Sequence, residues 1–126
     1  MAGVGLGVNA HREDVNRRML RARDAMDRRF AEPLDVSAVA AVAWVAPSTF
    51  IRTFKATFGE TPHRYRQRRR IERAMFLLRP TDRAVTDISL DVGFASLGTF
   101  SRSFAAAVGR SPSGFRRDTA GRPGDT

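Results

Sequence analysis

The chain has 126 residues, 42% of them apolar, which is enough for one folded domain with its own core. It contains no cysteine, so disulfides, thiolate zinc sites and thiol nucleophiles are excluded. Twenty-two basic residues against thirteen acidic ones give a formal net charge of +9, and such an excess favours a polyanion as partner, either nucleic acid or an anionic membrane surface.

The N-terminal third predicts a loose tail followed by a helix. Residues 1–12 are rich in Gly and Val without a helical period, and we expect them to be flexible. From about Glu13, apolar residues recur at spacings of three and four, as on one face of a helix: Val15, Met19, Ala22, Met26 and Phe30. Pro33 is expected to end this helix.

Two short helices joined by a tight turn are predicted next. Asp35 can cap a helix that runs to about Ala43, and Pro47 can occupy the first position of the following helix. That second helix directs Phe50, Phe54 and Phe58 inward at a spacing of four, and it leaves four polar side chains on the outer face: Ser48, Thr49, Arg52 and Lys55. Gly59 is expected to end it. We expect Trp44, in the turn, to be packed, although an exposed ring there could form a patch for a partner.

A long helix over 61–79 is predicted to follow, with Thr61 as its cap and Pro62 at its first position. Its buried stripe is expected to consist of Tyr65, Ile71, Ala74, Met75 and Leu78. Pro80 is expected to end it. The arginine-rich run from Arg64 to Arg73 is either a solvated face or a contact surface for phosphates.

The stretch from Phe50 to Pro62 then returns as Phe100 to Pro112 at a constant spacing. The matching pairs are Arg52 and Arg102, Phe54 and Phe104, and Gly59 and Gly109. A short helix from Val85 to Val92 precedes the second copy, and Ser96 can cap the helix of that copy. A last helical turn contains Phe115. Residues 119–126 are expected to form a flexible tail. No segment shows sustained period-two alternation, so the predicted fold is all-α with about seven helices.

Each copy of this pattern predicts a helix-turn-helix unit, the first over 35–58 and the second over 85–108. The major groove of DNA admits one α-helix, and the outer polar residues of the second helix in each unit would then reach base edges. A rigid helix between two such units can hold them about 34 Å apart, one turn of DNA.

With these units the span from Leu34 to Arg117 resembles the DNA-binding domain of the AraC/XylS family of transcription regulators, in its short stand-alone form. The most specific motifs are Val92-Gly-Phe and Ser111-Pro-Ser-Gly-Phe-Arg. The resemblance implies a DNA-binding domain over 13–118, recognition helices at 47–57 and 96–107, and activation of transcription through contact with RNA polymerase.

The resemblance also implies which residues contact DNA: Ser48, Thr49, Ile51, Arg52, Lys55, Leu97, Gly98, Thr99, Ser101 and Arg102. Arg70 is expected to have a structural hydrogen-bonding role. Three residues depart from the family pattern: Trp44 replaces a turn glycine, Ala46 a Ser or Thr cap, and Ser89 a small apolar residue. Gly98 removes a side chain that could contact bases, so we expect base recognition by the first unit more than by the second.

No catalytic grouping, phosphate-binding glycine loop or metal-ligand cluster is present in the sequence, so we expect no enzymatic activity, no cofactor and no metal. No apolar run reaches membrane-spanning length and no signal peptide pattern is present, which favours a cytoplasmic protein that does not bind membranes. We therefore predict a monomer that binds double-stranded DNA. Two alternatives stay open: a basic helical module that binds an acidic protein, and a non-specific nucleic-acid binder.

Overall fold

The computed structural model describes residues 2–79 and 81–120, with side chains from residue 9 onwards. These residues form seven helices and no strand: α1 (Ala2–Arg28), α2 (Val36–Val42), α3 (Pro47–Phe58), α4 (Pro62–Leu78), α5 (Val85–Asp91), α6 (Leu97–Val108) and α7 (Pro112–Ala120). The predicted all-α fold with two helix-turn-helix units is confirmed.

The described residues divide into two compact units. The N-terminal unit comprises the residues up to Arg29 together with Leu34–Arg66, and the C-terminal unit comprises Phe30–Pro33 and the residues from Gln67 onwards. Among the described residues, no single helix is long and apolar enough to cross a membrane; the pair α2 and α3 reaches that length and composition only when taken together, with a bend of 72° between them.

The core of the N-terminal unit lies where α1, α2 and α3 meet. Its buried members are Met19, Ala22, Met26, Ala40, Ala43, Phe50, Phe54 and Tyr65. The ring of Phe54 is central, with centroids 5.6 Å from Phe50, 4.7 Å from Phe58 and 5.7 Å from Tyr65. The inward spacing of four predicted for α3 is therefore confirmed.

Helix α1 differs from its prediction at both ends. It begins at Ala2, so the expectation that the residues before Glu13 are not helical is wrong. No proline interrupts that stretch, although its three glycines are weak helix formers. It ends at Arg28, before Pro33. The chain leaves the helix early because Phe30 packs against the core of the C-terminal unit, and Phe30 is therefore not part of the α1 stripe.

The caps predicted for the first helix-turn-helix are present. Asp35 caps α2, and its carboxylate accepts a hydrogen bond from the backbone N–H of Ala38 at 3.0 Å. Pro47 is at the start of α3, and Gly59 ends it in the left-handed region at φ +81°. Ala46, at the N-cap of α3, provides no side-chain hydrogen bond, as the departure from the family pattern predicts.

The C-terminal unit has a second core built from α4, α5, α6 and α7. Its buried members are Ile71, Ala74, Leu78, Ile88, Val92, Phe94, Phe100, Phe104 and Phe115. Ser89 is also buried, and its hydroxyl donates to the carbonyl of Thr86 at 2.6 Å, one turn back, which satisfies the buried hydroxyl within its own helix. Gly93 is required by its neighbours, because a Cβ there would lie 2.5 Å from the carbonyl oxygen of Ala31.

The C-terminal end of the chain is more ordered than predicted. The last element is a nine-residue helix, and it includes Thr119, which was expected in the flexible tail. Thr119 is buried because its hydroxyl donates back to the carbonyl of Phe115 at 3.0 Å. Residues 121–126 of the predicted tail, and the predicted helix end at Pro80, lie outside the described residues.

Candidate nucleic-acid interface

The outer face of α3 is the first candidate surface. Its core anchors, Phe50 and Phe54, fix which side of the helix is exposed. Ser48, Arg52 and Lys55 are exposed on the other side. Helix α3 contains no acidic residue, and the side chains of Arg52 and Lys55 make no hydrogen bond or ion pair to any residue that the structure describes. This face is therefore a site of uncompensated positive charge next to hydroxyl groups.

Two residues predicted to contact DNA from α3 are less available. Thr49 is half-buried, and Ile51 is half-buried against the core of the N-terminal unit. The Ile51 side chain is partly packed against that core and partly exposed to solvent, because it lies at the edge of the apolar stripe. It offers at most an apolar edge to a ligand.

Helix α6 presents the second candidate surface, also on the side opposite its buried Phe100 and Phe104. Of the five residues predicted to contact DNA from this helix, Ser101 is half-buried and the other four are exposed: Leu97, Gly98, Thr99 and Arg102. Helix α6 contains no acidic residue. The same pattern of two buried Phe anchors and an exposed opposite face thus occurs on α3 and on α6.

The first turn of α6 contains a small hydrogen-bonded group that α3 lacks. Ser96 caps the helix, because its Oγ accepts from the backbone N–H of Thr99 at 3.2 Å. The same hydroxyl donates to the Thr99 Oγ1 at 3.0 Å. Arg102 Nη2 also donates to that Oγ1 in a long hydrogen bond of 3.5 Å. The sequence prediction left Ser96 out of the site, although a Ser followed three residues later by Thr at a helix start was a usable signal.

Gly98 lies beneath the guanidinium group of Arg102. A Cβ built on Gly98 would be 3.4 Å from Arg102 Nη1, which is van der Waals contact. The prediction treated Gly98 only as a missing side chain, and the structure shows in addition that its surface is occupied by Arg102.

The basic run on α4 is partly neutralised. Glu72 accepts from Arg68 at 2.5 Å and from Arg69 at 2.7 Å. Partial burial would raise the pKa of Glu72, but the hydrogen bonds from the two arginines outweigh it and hold that pKa below its ordinary value. Arg70 belongs to the same run in sequence but is buried, so only part of the run is available for phosphates.

Trp44 is 78% exposed, so the expectation that it is packed in the turn is wrong. Its backbone adopts φ +59°, the left-handed region that a bulky residue rarely enters. In the second unit the corresponding turn residue is Gly93, at φ +101°. Residues 36–51, which include this turn and all of α2, contain no charged side chain. The turn of the first unit therefore exposes an aromatic ring in uncharged sequence.

Other functional chemistry has no support in the described ranges. No group of three or more His, Asp or Glu side chains there is placed to hold a metal ion. The two surfaces on α3 and α6 are the places where charge and hydrogen-bonding groups face solvent without an acidic neighbour on the same helix.

The sequence and structure are similar to known transcription regulators. A family model described as a helix-turn-helix domain matches residues 39–118. The regulatory protein SoxS of Salmonella typhimurium is 33% identical over 91 residues, which cover 72% of this chain and 85% of SoxS. The transcriptional activator RhaS of Enterobacter sp. is 37% identical over 92 residues, which cover 73% of this chain but 33% of RhaS, so the chain spans about a third of that longer relative.

Solved structures of transcription regulators are also similar to this chain. A transcriptional regulator of Chromobacterium violaceum with an AraC-type DNA-binding domain matches with a TM-score of 0.77 and 27% identity, over 84% of this chain and 95% of that one. The DNA-binding domain of AdpA, solved in complex with a target DNA, matches with a TM-score of 0.73 and 26% identity, over 79% of this chain and 90% of that one.

Proposed function

The chain belongs to the AraC-type helix-turn-helix family of transcription regulators, and we propose that it regulates genes by placing α3 and α6 in two successive major-groove segments of a specific DNA sequence. The observation that carries this is the repeated helix face. Each of α3 and α6 buries two Phe residues four apart and exposes an arginine one turn into the helix, with no acid on either helix. We assign the function to residues 13–118.

Each exposed group has a proposed role. Arg52 and Arg102 are proposed to contact base edges or phosphates, and the guanidinium group suits both because it can donate two parallel hydrogen bonds. Lys55 and Ser48 are proposed to contact phosphates, which receive half or more of all protein–DNA hydrogen bonds. We propose only peripheral contacts with DNA for four further residues, because they are partly buried or apolar: Ser101, Leu97, Thr49 and Ile51.

The finer proposal is that the protein activates transcription through RNA polymerase, and the candidate contact is Trp44. An exposed indole in uncharged sequence is unsuited to phosphates and suits an apolar protein surface. The same observation supports the alternative of a protein-interaction module, but as a second surface of a DNA-binding regulator. We further propose that it acts as a monomer in the cytoplasm, that it needs no cofactor and that it has no catalytic role.

The test is selection from a random duplex library at two salt concentrations, because affinities for DNA depend strongly on salt. The expected result is a motif with two information-bearing blocks about one helical turn apart. One block alone would show that a single unit contacts bases. A protein that selects no motif, and whose binding disappears as salt rises, would be a non-specific polyanion binder, and the proposed function would be wrong.

A further inference from the structure

We propose that Gly98, Thr99 and Ser96 position Arg102 in advance for contact with a guanine, and that α6 is therefore the more selective of the two recognition helices. This inference rests on the proposed function, because it concerns how α6 would recognise DNA. It also reverses the expectation that Gly98 makes base recognition by the second unit weaker than by the first.

The direction of helical side chains is the first step. Side chains on an α-helix lean toward its N-terminus, so a residue covers the surface one turn before its own Cα. Arg102 accordingly lies over Gly98, four residues earlier, where the missing side chain leaves its Nη1 a free surface to lie on. A longer side chain at that position would compete for this space.

The hydroxyl groups supply the second step. The N-terminal end of a helix has a partial positive charge, which disfavours a guanidinium group there. The Oγ1 of Thr99 offsets this by accepting from Arg102 Nη2 at 3.5 Å. Ser96 orients that hydroxyl by donating to it at 3.0 Å. The contact is long and solvent-exposed, so it restricts the side chain without removing its other donors.

The chemistry of the target follows from the remaining donors. Nη1 and Nε of Arg102 have no hydrogen-bond partner among the residues that the structure describes, and the Arg102 side chain is exposed on α6. The edge of guanine in the major groove offers two acceptors, N7 and O6, which match a guanidinium group better than any other base edge. A positioned arginine loses less freedom on binding, so it contributes more of its contact energy to selectivity.

Helix α3 provides the contrast within the same molecule. Ala46 stands where α6 has Ser96, and Ser48 where it has Gly98. Thr49 has no capping hydroxyl to orient it, and Arg52 has no partner within the described residues. The arginine of the first unit is thus free to adapt to either bases or phosphates.

Thr99→Val is the test variant, with Thr99→Ser as the rescue. The probe is the duplex that the wild-type protein selects, with and without 7-deazaguanine in the α6 block, which lacks the N7 acceptor. We expect Thr99→Val to weaken binding about 2- to 10-fold, because Arg102 would then lose more side-chain freedom on binding, and Thr99→Ser to restore it. The modified base should weaken wild-type binding, and its effect should be smaller in Thr99→Val, where Arg102 is no longer positioned. Independent effects of the base change and the protein change would overturn the inference.

A second readout needs no DNA. In ¹⁵N side-chain NMR of the free protein, the Nε of Arg102 should be more ordered than that of Arg52, and Thr99→Val should remove the difference. Equal mobility of the two arginines would contradict the positioning whatever the DNA results. An ordered Arg102 in a protein that selects no motif at all would support the positioning and overturn the proposed function, whereas a motif without an α6 block would overturn the inference.

Discussion

Arg70 donates from its Nε to the carbonyl oxygen of Phe30 at 2.7 Å, across forty residues of sequence. Its Nη2 donates to the carbonyl of Glu32 at 2.9 Å, and the side chain is only 6% exposed. The guanidinium group thus binds two backbone carbonyls in the segment that follows α1. Because these carbonyls are held by Arg70, the segment is kept out of the helix, and α1 ends before Pro33.

Arg70→Ala is expected to lower the free energy of unfolding by about 2–4 kcal/mol, because it removes two charge-assisted hydrogen bonds and leaves two carbonyls without these partners. Arg70→Lys should recover only part of this loss, since one ammonium group cannot reproduce the planar fork. Urea unfolding followed by circular dichroism measures both. Arg68→Ala is the control, as an exposed arginine of the same helix, and a loss for it as large as for Arg70→Ala would contradict the explanation.

The helices were predictable where a local signal decides them, and the errors fall where tertiary contacts or unusual backbone decide. Asp35, Pro47 and Gly59 mark helix ends by chemistry that needs no distant partner, and these predictions were confirmed. The end of α1 depends instead on the packing of Phe30 and on the distant Arg70 that binds its carbonyl, which no pattern within the helix indicates.

The residues of the site show the same division. Spacing alone predicts which face of α3 and α6 is exposed, because the Phe anchors repeat at four. The rotamer of Arg102 is not predictable in this way, because spacing gives the face of a helix and not the conformation of a side chain on that face. Trp44 was expected to be packed because large apolar residues usually are. It lies instead exposed in a left-handed turn, in which glycine would be the ordinary residue.

Ala46→Ser is expected to stabilise the protein by about 0.5–1 kcal/mol, because it gives α3 the capping hydroxyl that α6 already has. The reverse change, Ser96→Ala, should destabilise by a similar amount. Thermal unfolding of the two variants and the wild type measures the effect. A destabilising Ala46→Ser would show that the N-terminus of α3 is satisfied in some other way.

Trp44→Gly is expected to raise the free energy of unfolding by about 0.5–1 kcal/mol. Glycine adopts the left-handed backbone without the cost of about 1–2 kcal/mol that other residues bear, and this outweighs its larger entropy in the unfolded chain. Little burial is lost, because the ring is exposed. Chemical denaturation measures the change, and Trp44→Ala, which keeps the strain, is the control.

The same variant separates DNA binding from activation. Trp44→Gly should leave the affinity for the selected duplex unchanged but reduce transcription from a promoter that contains it, in a purified assay with RNA polymerase. Unchanged transcription would remove Trp44 as the proposed polymerase contact. A parallel loss of DNA affinity would place the ring in the DNA interface instead.

Arg52→Ala is expected to weaken binding to the selected duplex by about 1–3 kcal/mol if the side chain contacts a base, with relaxed preference at one position of the first block. If Arg52 contacts a phosphate, the loss should be uniform across sequences and the slope of log affinity against log salt should decrease by about one. Fluorescence anisotropy at four salt concentrations on matched and mismatched duplexes distinguishes the two cases. Since Arg52 lacks the hydroxyl support that holds Arg102, we expect its loss to be the less selective of the two. Arg102→Ala should therefore reduce the discrimination between matched and mismatched blocks more than Arg52→Ala does, and the opposite order would assign the main specificity to α3.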